Sequence, residues 1–354
     1  MIERIFLDEV SDIMRIRQDR RSFMGKLILG GAGAAFSSLT SVGLSHAATA
    51  DPGMSTVSFV TGKDRRDMVY QALKPLENDI KRGIRGKQII IKPNLVGNEQ
   101  LLCATHPDAI RGLLDFLKPI YKKQVIIGES TGRRYPDMAG TLKHYTIYNY
   151  YPLEKEYNVK LIDLNAGSYR VEWVASKEGH PLDIRICSPL MDPDNYIISI
   201  CRLKTHNTLV VTLTAKNLLL GAPFVDGTRH DKSRLHSPGI RGMNFGVFLL
   251  AQKVQPSLAI LDGLEGMEGN GPTAGTPVEH GVALASTDFI AADRMGCLLM
   301  DVNFSDCGYL TYCANAGIGQ GDISKIKIIG PDPSNYIKKY KPHENIQKQL
   351  EWKD

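Results

Sequence analysis

Short, wholly apolar runs recur along this chain, each separated from the next by a longer segment of mixed polarity. "KQIIIKPN" (87–94), "QVIIGES" (124–130), residues 159–163, residues 197–203 and "SLAILDG" (257–263) all lack the alternation of a strand with one wet face. A strand without alternation is buried on both faces, and parallel neighbours need a long crossover, usually a helix. The fold class expected is therefore α/β: a mostly parallel buried sheet with helices on both faces.

The intervening segments fit that expectation. "DRRDMVYQALKPLENDIKRG" (64–83) has the spacing of an amphipathic helix, bent or ended near Pro75. "THPDAIRGLLDFLKPIY" opens a second, with Thr105 as N-cap and Pro107 in its first turn. "SYRVEWVAS" (168–176) differs, because it alternates. Tyr169, Val171, Trp173 and Ala175 share one face and Arg170 and Glu172 the other, the mark of a half-exposed strand in a small antiparallel insertion. Residues 222–242 form a long polar connection without periodicity, and loops of that length are functional or disordered. A helix at 243–254, a strand at 280–286, helices at 288–301 and 306–316 and a strand at 324–329 complete the domain, expected over residues 51–330. Residues 331–354 read as a polar, peripheral tail.

Residues 1–50 do not read as fold. Basic residues, a weakly hydrophobic Gly/Ala stretch and small residues at Ala48 and Ala50 follow one another in the order of a secretory signal. Arg20-Arg21, followed by Phe23 and Lys26, resembles a twin-arginine signal, although Asp19 and Met24 depart from the usual pattern. The expectation is export to the periplasm or another extracytoplasmic space, with the twin-arginine translocation machinery as a passing partner. An uncleaved membrane anchor is the alternative. Beyond that segment no stretch is long and apolar enough to span a bilayer, so the mature form is not expected to cross one.

The formal net charge is +5, with no long Lys/Arg tract, so nucleic acid is not an expected partner. The six cysteines form no C-x-x-C, which removes zinc-ribbon and ferredoxin-type cluster readings; no iron–sulfur cluster is expected. Cys187, Cys201 and Cys297 lie in apolar runs and read as buried thiols, while Cys307 and Cys313 are open to pairing or to remaining free.

The apolar runs end alike. Lys92-Pro93-Asn94, Glu129-Ser130, Lys204-Thr205-His206 and Asp262 each follow a buried strand. In an open parallel sheet the ligand crevice lies beyond the carboxyl ends of the strands. Turns favour polar residues anyway, but they have no particular need of lysine. The expectation is a basic strand-end crevice with Lys92, Asn94, Glu129, Lys204, His206 and Asp262 on one rim.

"IKPNL", "LKTH" followed by "AKNLLLG", "LDGLEGMEGNGPTAGTP" and "ALASTDFIAADRMG" together resemble the signature segments of the domain of unknown function 362 family. They occur in that family's order, and the resemblance spans most of residues 56–330. It implies an α/β domain and no single activity. Many relatives carry ferredoxin-like cysteine motifs, which this chain lacks. Asp293 matches a position of the family and is a further candidate for the site.

Lys216 and Asn217 lie on a helix expected to start near the strand end, so that its positive N-terminus faces the same rim. Lys216 would help hold a carboxylate or phosphate, or else snorkel to water. His206, His230 and His236 cluster around the polar loop, with Asp262, Glu265 and Glu268 nearby in sequence. That combination suits a divalent metal held by His206, His236 and Glu268, although no H-E-x-x-H spacing supports it. Gly269-x-Gly271-x-x-Ala274 is not a dinucleotide fingerprint, because no helix follows it. It reads as a loop whose amides at Gly269 and Gly271 line the crevice. Arg229, Lys232, Arg234 and Arg241, with His230 and His236, would form a lid over an anion or else stay as solvated loop charges.

The function expected is that of an exported protein acting on a small anionic molecule with a bound metal or cofactor. His206, Lys204, Lys92 and Asp262 are the catalytic candidates. Asn94, Glu129, Lys216, Asn217, Gly269 and Gly271 are the substrate-binding ones. Whether it is an enzyme stays open: the alternative is a non-catalytic binding protein, or an accessory subunit of a redox complex.

Overall fold

The computed structural model describes residues 53–96, 100–132, 140–176 and 179–353. The expected signal segment lies outside these residues. The described strands are β1 (Ser55–Thr61), β2 (Gln88–Lys92), β3 (Val125–Glu129), β4 (Val159–Asp163), β5 (Tyr169–Ala175), β6 (Pro181–Cys187), β7 (Asn195–Thr205), β8 (Val211–Thr212), β9 (Leu258–Asn270), β10 (Ala274–Ser286) and β11 (Ile326–Ile329). Among the described residues, all but β5 and β6 form one nine-stranded sheet in the order β11-β1-β10-β9-β7-β2-β3-β4, with β8 beside the end of β7. From β9 to β4 every neighbour is parallel, and β10 runs against both β9 and β1. The apolar runs are the parallel strands, so the fold is α/β, as their composition requires.

Helices cover both faces. α1 (Arg65–Leu73), α2 (Glu77–Gly83), α3 (Pro107–Leu117), α4 (Gly140–Ile147) and α5 (Pro152–Glu156) pack on one side, where Val69, Leu73, Leu113 and Tyr145 meet Ile89 and Ile91 of β2. α6 (Thr214–Gly221), α7 (Asp231–His236), α8 (Gly239–Ala251), α9 (Phe289–Leu299) and α10 (Gly308–Asn315) follow in the chain. Leu218, Val247, Met295 and Leu310 from that set form the other core, against Ile90, Cys201 and Leu261. Each buried aliphatic side chain contributes about 1.5–3 kcal/mol. α1 and α2 are separated by a 3₁₀ turn, Lys74–Leu76, because Pro75 cannot continue the first helix.

Some local expectations are corrected. His106, not Thr105, caps α3, accepting from Asp108 N; the Thr105 hydroxyl instead donates to Ile200 O at 2.8 Å. The segment 222–242 is not structureless: it holds α7 and the start of α8. The glycine-rich stretch after Asp262 is a long hairpin, β9–β10, rather than a loop. The tail is not peripheral. Its Tyr340 is buried, and Gln349, on α11 (Ile346–Leu350), accepts from Val210 N at 2.6 Å.

β5 and β6 do form an antiparallel pair, and the alternation places the aromatic face of β5 outward. Val174, Ile184 and Ile186 face the core, while Tyr169, Val171 and Trp173 face out. The partner strand decides this, because its two isoleucines are the stronger claim on the core. All six cysteines are free and buried, Cys307 and Cys313 included.

Candidate functional site

After β2 the chain steps outward through β3 and β4, then returns to the other side of β2 for β7 and β9. The order of strands therefore reverses between β2 and β7, and in such sheets the crevice opens there. The side chains at that point are joined in one network. Lys204 Nζ donates to Asn94 Oδ1 at 2.7 Å and to Cys103 O at 2.6 Å. Asn94 Nδ2 donates to Asn217 Oδ1 at 3.1 Å, which also accepts from Lys92 Nζ at 3.3 Å. Lys92 Nζ lies 2.7 Å from Glu129 Oε1. Glu129 accepts further from Leu95 N and Ser130 N. The sequence candidates Lys92, Asn94, Glu129, Lys204 and Asn217 are thus brought together across β2, β3, β7 and α6, all of them buried.

α6 is placed differently from the expectation. Its N-terminus is occupied by Asp293 of α9, whose carboxylate accepts from Thr214 N at 2.8 Å, Thr214 Oγ1 at 2.6 Å and Ala215 N at 2.9 Å. No ligand can use those amides while Asp293 holds them. Burial raises the Asp293 carboxyl to about 7. The C-terminus of α6 is the end that meets the rim: the Ser130 hydroxyl donates to Gly221 O, and a Cβ on Gly221 would lie 2.6 Å from Lys92 Nζ. Helix C-terminal carbonyls favour a nearby cation, so Lys92 is held there by both Glu129 and the helix end.

Lys216 behaves unlike the other two lysines. It is 8 % exposed, and among the described residues its ammonium has no hydrogen-bond or acidic partner. Burial, followed by repulsion from Lys204, lowers it to about 7. Lys204 is lowered to about 8 by burial. Lys232 of α7, partnerless among the described residues, is also lowered to about 8 by burial. His206 is pushed well below the usual histidine range by burial and then by Lys216. Its Nδ1 accepts from Thr208 N and Leu209 N, so the neutral ring carries its proton on Nε2. In this tautomer His206 presents an N–H donor at the edge of the cluster. The result is a cluster of positive and donating groups in which Lys216 has no acidic partner among the described residues.

Other candidates fall elsewhere. Asp262 lies in mid-strand, where the parallel register of β9 with β7 breaks; its Oδ2 is 2.8 Å from Arg65 Nε, an ion pair without hydrogen-bond alignment. It belongs to a second cluster with Arg65 and Arg202 and not to the lysine site. Glu268 accepts from Lys341 N of the tail, and the exposed His236 bonds Lys232 O through Nδ1. Among the described residues no group of three His, Cys, Asp or Glu side chains converges as a metal-binding set, so His206, His236 and Glu268 do not form one. The amides of Gly269 and Gly271 are spent on Lys341 O and Gly269 O, and a Cβ on Gly271 would strike Thr205 O. These glycines serve close packing. Arg229 and Arg234 pair with Asp183 and Asp231, which also receives Arg185, while Lys232 and His236 of the expected lid come near the lysine cluster. Gln349 gained its place through a contact too distant in sequence to be read from it, whereas Asp293, a candidate by resemblance, reaches the start of α6.

No described helix is long and apolar enough to cross a membrane. The family described as "Domain of unknown function (DUF362)" matches residues 89–298. A thylakoid-associated protein of Synechocystis sp. is 29% identical over 213 residues, 59% of this chain and 61% of that protein. The chain thus spans about three-fifths of the length of this curated relative. A crystal structure of a Thermotoga maritima protein aligns with a TM-score of 0.37 at 12% identity, covering 62% of this chain and 55% of that one. The lactate racemase apoprotein from Thermoanaerobacterium thermosaccharolyticum aligns with a TM-score of 0.35 at 13% identity, covering 60% and 52%.

Proposed function

This chain belongs to the domain of unknown function 362 family, and from that premise we propose that it binds a small anionic molecule at the β2–β7 strand ends and exchanges a proton with it. One observation carries the reading: Lys216 is buried beside Lys204 and Lys232 with no acid to answer it among the described residues. A buried cation without a partner is costly, and such costs concentrate at functional sites. A carboxylate or phosphate would supply the missing charge. Lys232 and the Nε2–H of His206 would hold it, while Lys204, already bonded to Asn94 and Cys103, fixes the floor. With a value near 7, Lys216 takes or gives a proton at neutral pH at little cost, which suits a general acid or base.

Titration calorimetry with inorganic phosphate, oxalate and malonate tests the binding. At least one should bind, and Lys216→Met and Lys232→Met should each weaken it at least tenfold. Proton exchange is tested separately by following loss of C–H signals from a panel of small carboxylic acids in heavy water. Exchange that disappears in Lys216→Met supports the enzyme; binding without exchange favours the non-catalytic reading.

Export by the twin-arginine route is part of the same proposal. The Arg20-Arg21 pattern supports it, as do six reduced, buried thiols, which suit folding before export. Replacing both arginines with lysine should leave the protein in the cytoplasm; unchanged fractionation would exclude the route.

A further inference from the structure

Tyr169, Val171 and Trp173 form an outward stripe on β5, exposed by 47, 47 and 64 %. Their strand pairs with β6 on one side and, among the described residues, with no strand on the other. Ser188 N donates to Ser168 O and Ser176 N to His180 O. The hydrogen-bonded pairs of this hairpin therefore fall on even-numbered residues of β5, so the backbone N–H and C=O of Tyr169, Val171 and Trp173 point toward the open edge. An unpaired edge is a template for another strand, and the charges of Arg170 and Glu172 on it select which strand fits.

We propose that this edge pairs with the same edge of a second copy, antiparallel about a two-fold axis through Val171. The sequence Tyr169-Arg170-Val171-Glu172-Trp173 is complementary to its own reverse. With the axis at Val171, Arg170 lies opposite the partner's Glu172 and Tyr169 opposite the partner's Trp173, each pairing occurring twice. Cross-strand opposite charges and aromatic pairs are both favourable. The two neighbouring registers that keep the hydrogen bonds fail on charge. An axis at Arg170 sets that residue against itself, and an axis at Glu172 does the same for the acid. The chosen register also satisfies every outward N–H and C=O of Tyr169, Val171 and Trp173 and sets each Trp173 beside the partner's Tyr169, whose ring is already held by Phe224 and Arg185 of its own chain. Such an isologous contact is closed, so it yields a dimer and not a filament.

Sedimentation velocity of the full chain over a range of concentrations tests this. A reversible dimer is expected, and Arg170→Glu or Glu172→Arg should each raise its dissociation constant at least tenfold by placing like charges opposite each other. The double swap R170E/E172R restores both pairs and should restore dimerisation, which separates a lost contact from a lost fold. A chain that stays monomeric, including one that instead binds phospholipid vesicles through Trp173, overturns the proposal. So does a dimer that neither single charge reversal weakens.

Discussion

Lys92 Nζ lies 2.7 Å from Glu129 Oε1, with the two side chains 1 and 4 % exposed. Removing one member of a buried, hydrogen-bonded pair leaves the other charge unanswered, at a cost of about 3–5 kcal/mol, whereas replacing both by apolar groups costs far less. Lys92→Ala is therefore expected to lower the denaturant midpoint severely, and Lys92→Met with Glu129→Leu to recover much of the loss. Equal damage from the single and double variants would show that the pair is not coupled.

Gly221 lets the end of α6 approach this pair closely. An added Cβ would stand 2.5 Å from Lys92 Cε and 2.6 Å from Nζ. Gly221→Ala should destabilise by about 1–3 kcal/mol, as overpacking does elsewhere, with the loss read from chemical denaturation. A neutral result would mean that the lysine can swing aside freely.

Asp293 ties α9 to the first turn of α6 through three hydrogen bonds. Asp293→Ala should cost about 1–2 kcal/mol, the scale of a lost N-cap. Hydrogen exchange at Thr214 and Ala215 should accelerate more than exchange in α8. Uniform acceleration would argue against a local capping role.

Lys216→Met is expected to stabilise the protein by about 0.5–2 kcal/mol at neutral pH while abolishing anion binding, the usual exchange of function for stability. Thermal denaturation with and without phosphate measures both. A variant that is less stable and still binds would remove Lys216 from the site.

The pH dependence follows from the same lysines. Lys216, at about 7, and Lys204 and Lys232, at about 8, all lie below the ordinary 10.5 that they regain on unfolding. The unfolded chain therefore binds more protons between pH 7 and 10.5, and stability should rise across that window. Below pH 7 the lysines are charged in both states, so the dependence is flat and the cost of burying them is fully present. Anion affinity should move oppositely, falling as the ammonium groups deprotonate between pH 7 and 8. Affinity that climbs with pH in calorimetry would contradict the assignment.

Much of the sheet was legible because its strands had to be buried on both faces. "IIIKPN" and "IISICRLKTH" could be neither amphipathic helices nor half-wet strands, and their lysines could only emerge at the carboxyl ends. Lys92, Asn94, Glu129 and Lys204 were readable as a set for that reason, whereas Asn217 was drawn in through a helix N-terminus that Asp293 in fact occupies. Asp262 was misplaced because an apolar run followed by a carboxylate looks the same whether the strand stops or continues into a hairpin. The orientation of the β5 stripe was not legible because alternation defines two faces without saying which is wet; Ile184 and Ile186, on the partner strand, made that choice.

By itself, then, the order of residues determined the class of fold and which strand ends carry charge, since both follow from local pattern and the cost of burying unpaired backbone. Which charges are answered was decided only in three dimensions. Glu129 reaches Lys92 and Asp293 reaches the start of α6 across 37 and 79 positions of chain, measured from Lys92 and Thr214. Lys216 is left over, and no local pattern contains that fact, because electrostatic balance depends on distances that only packing sets.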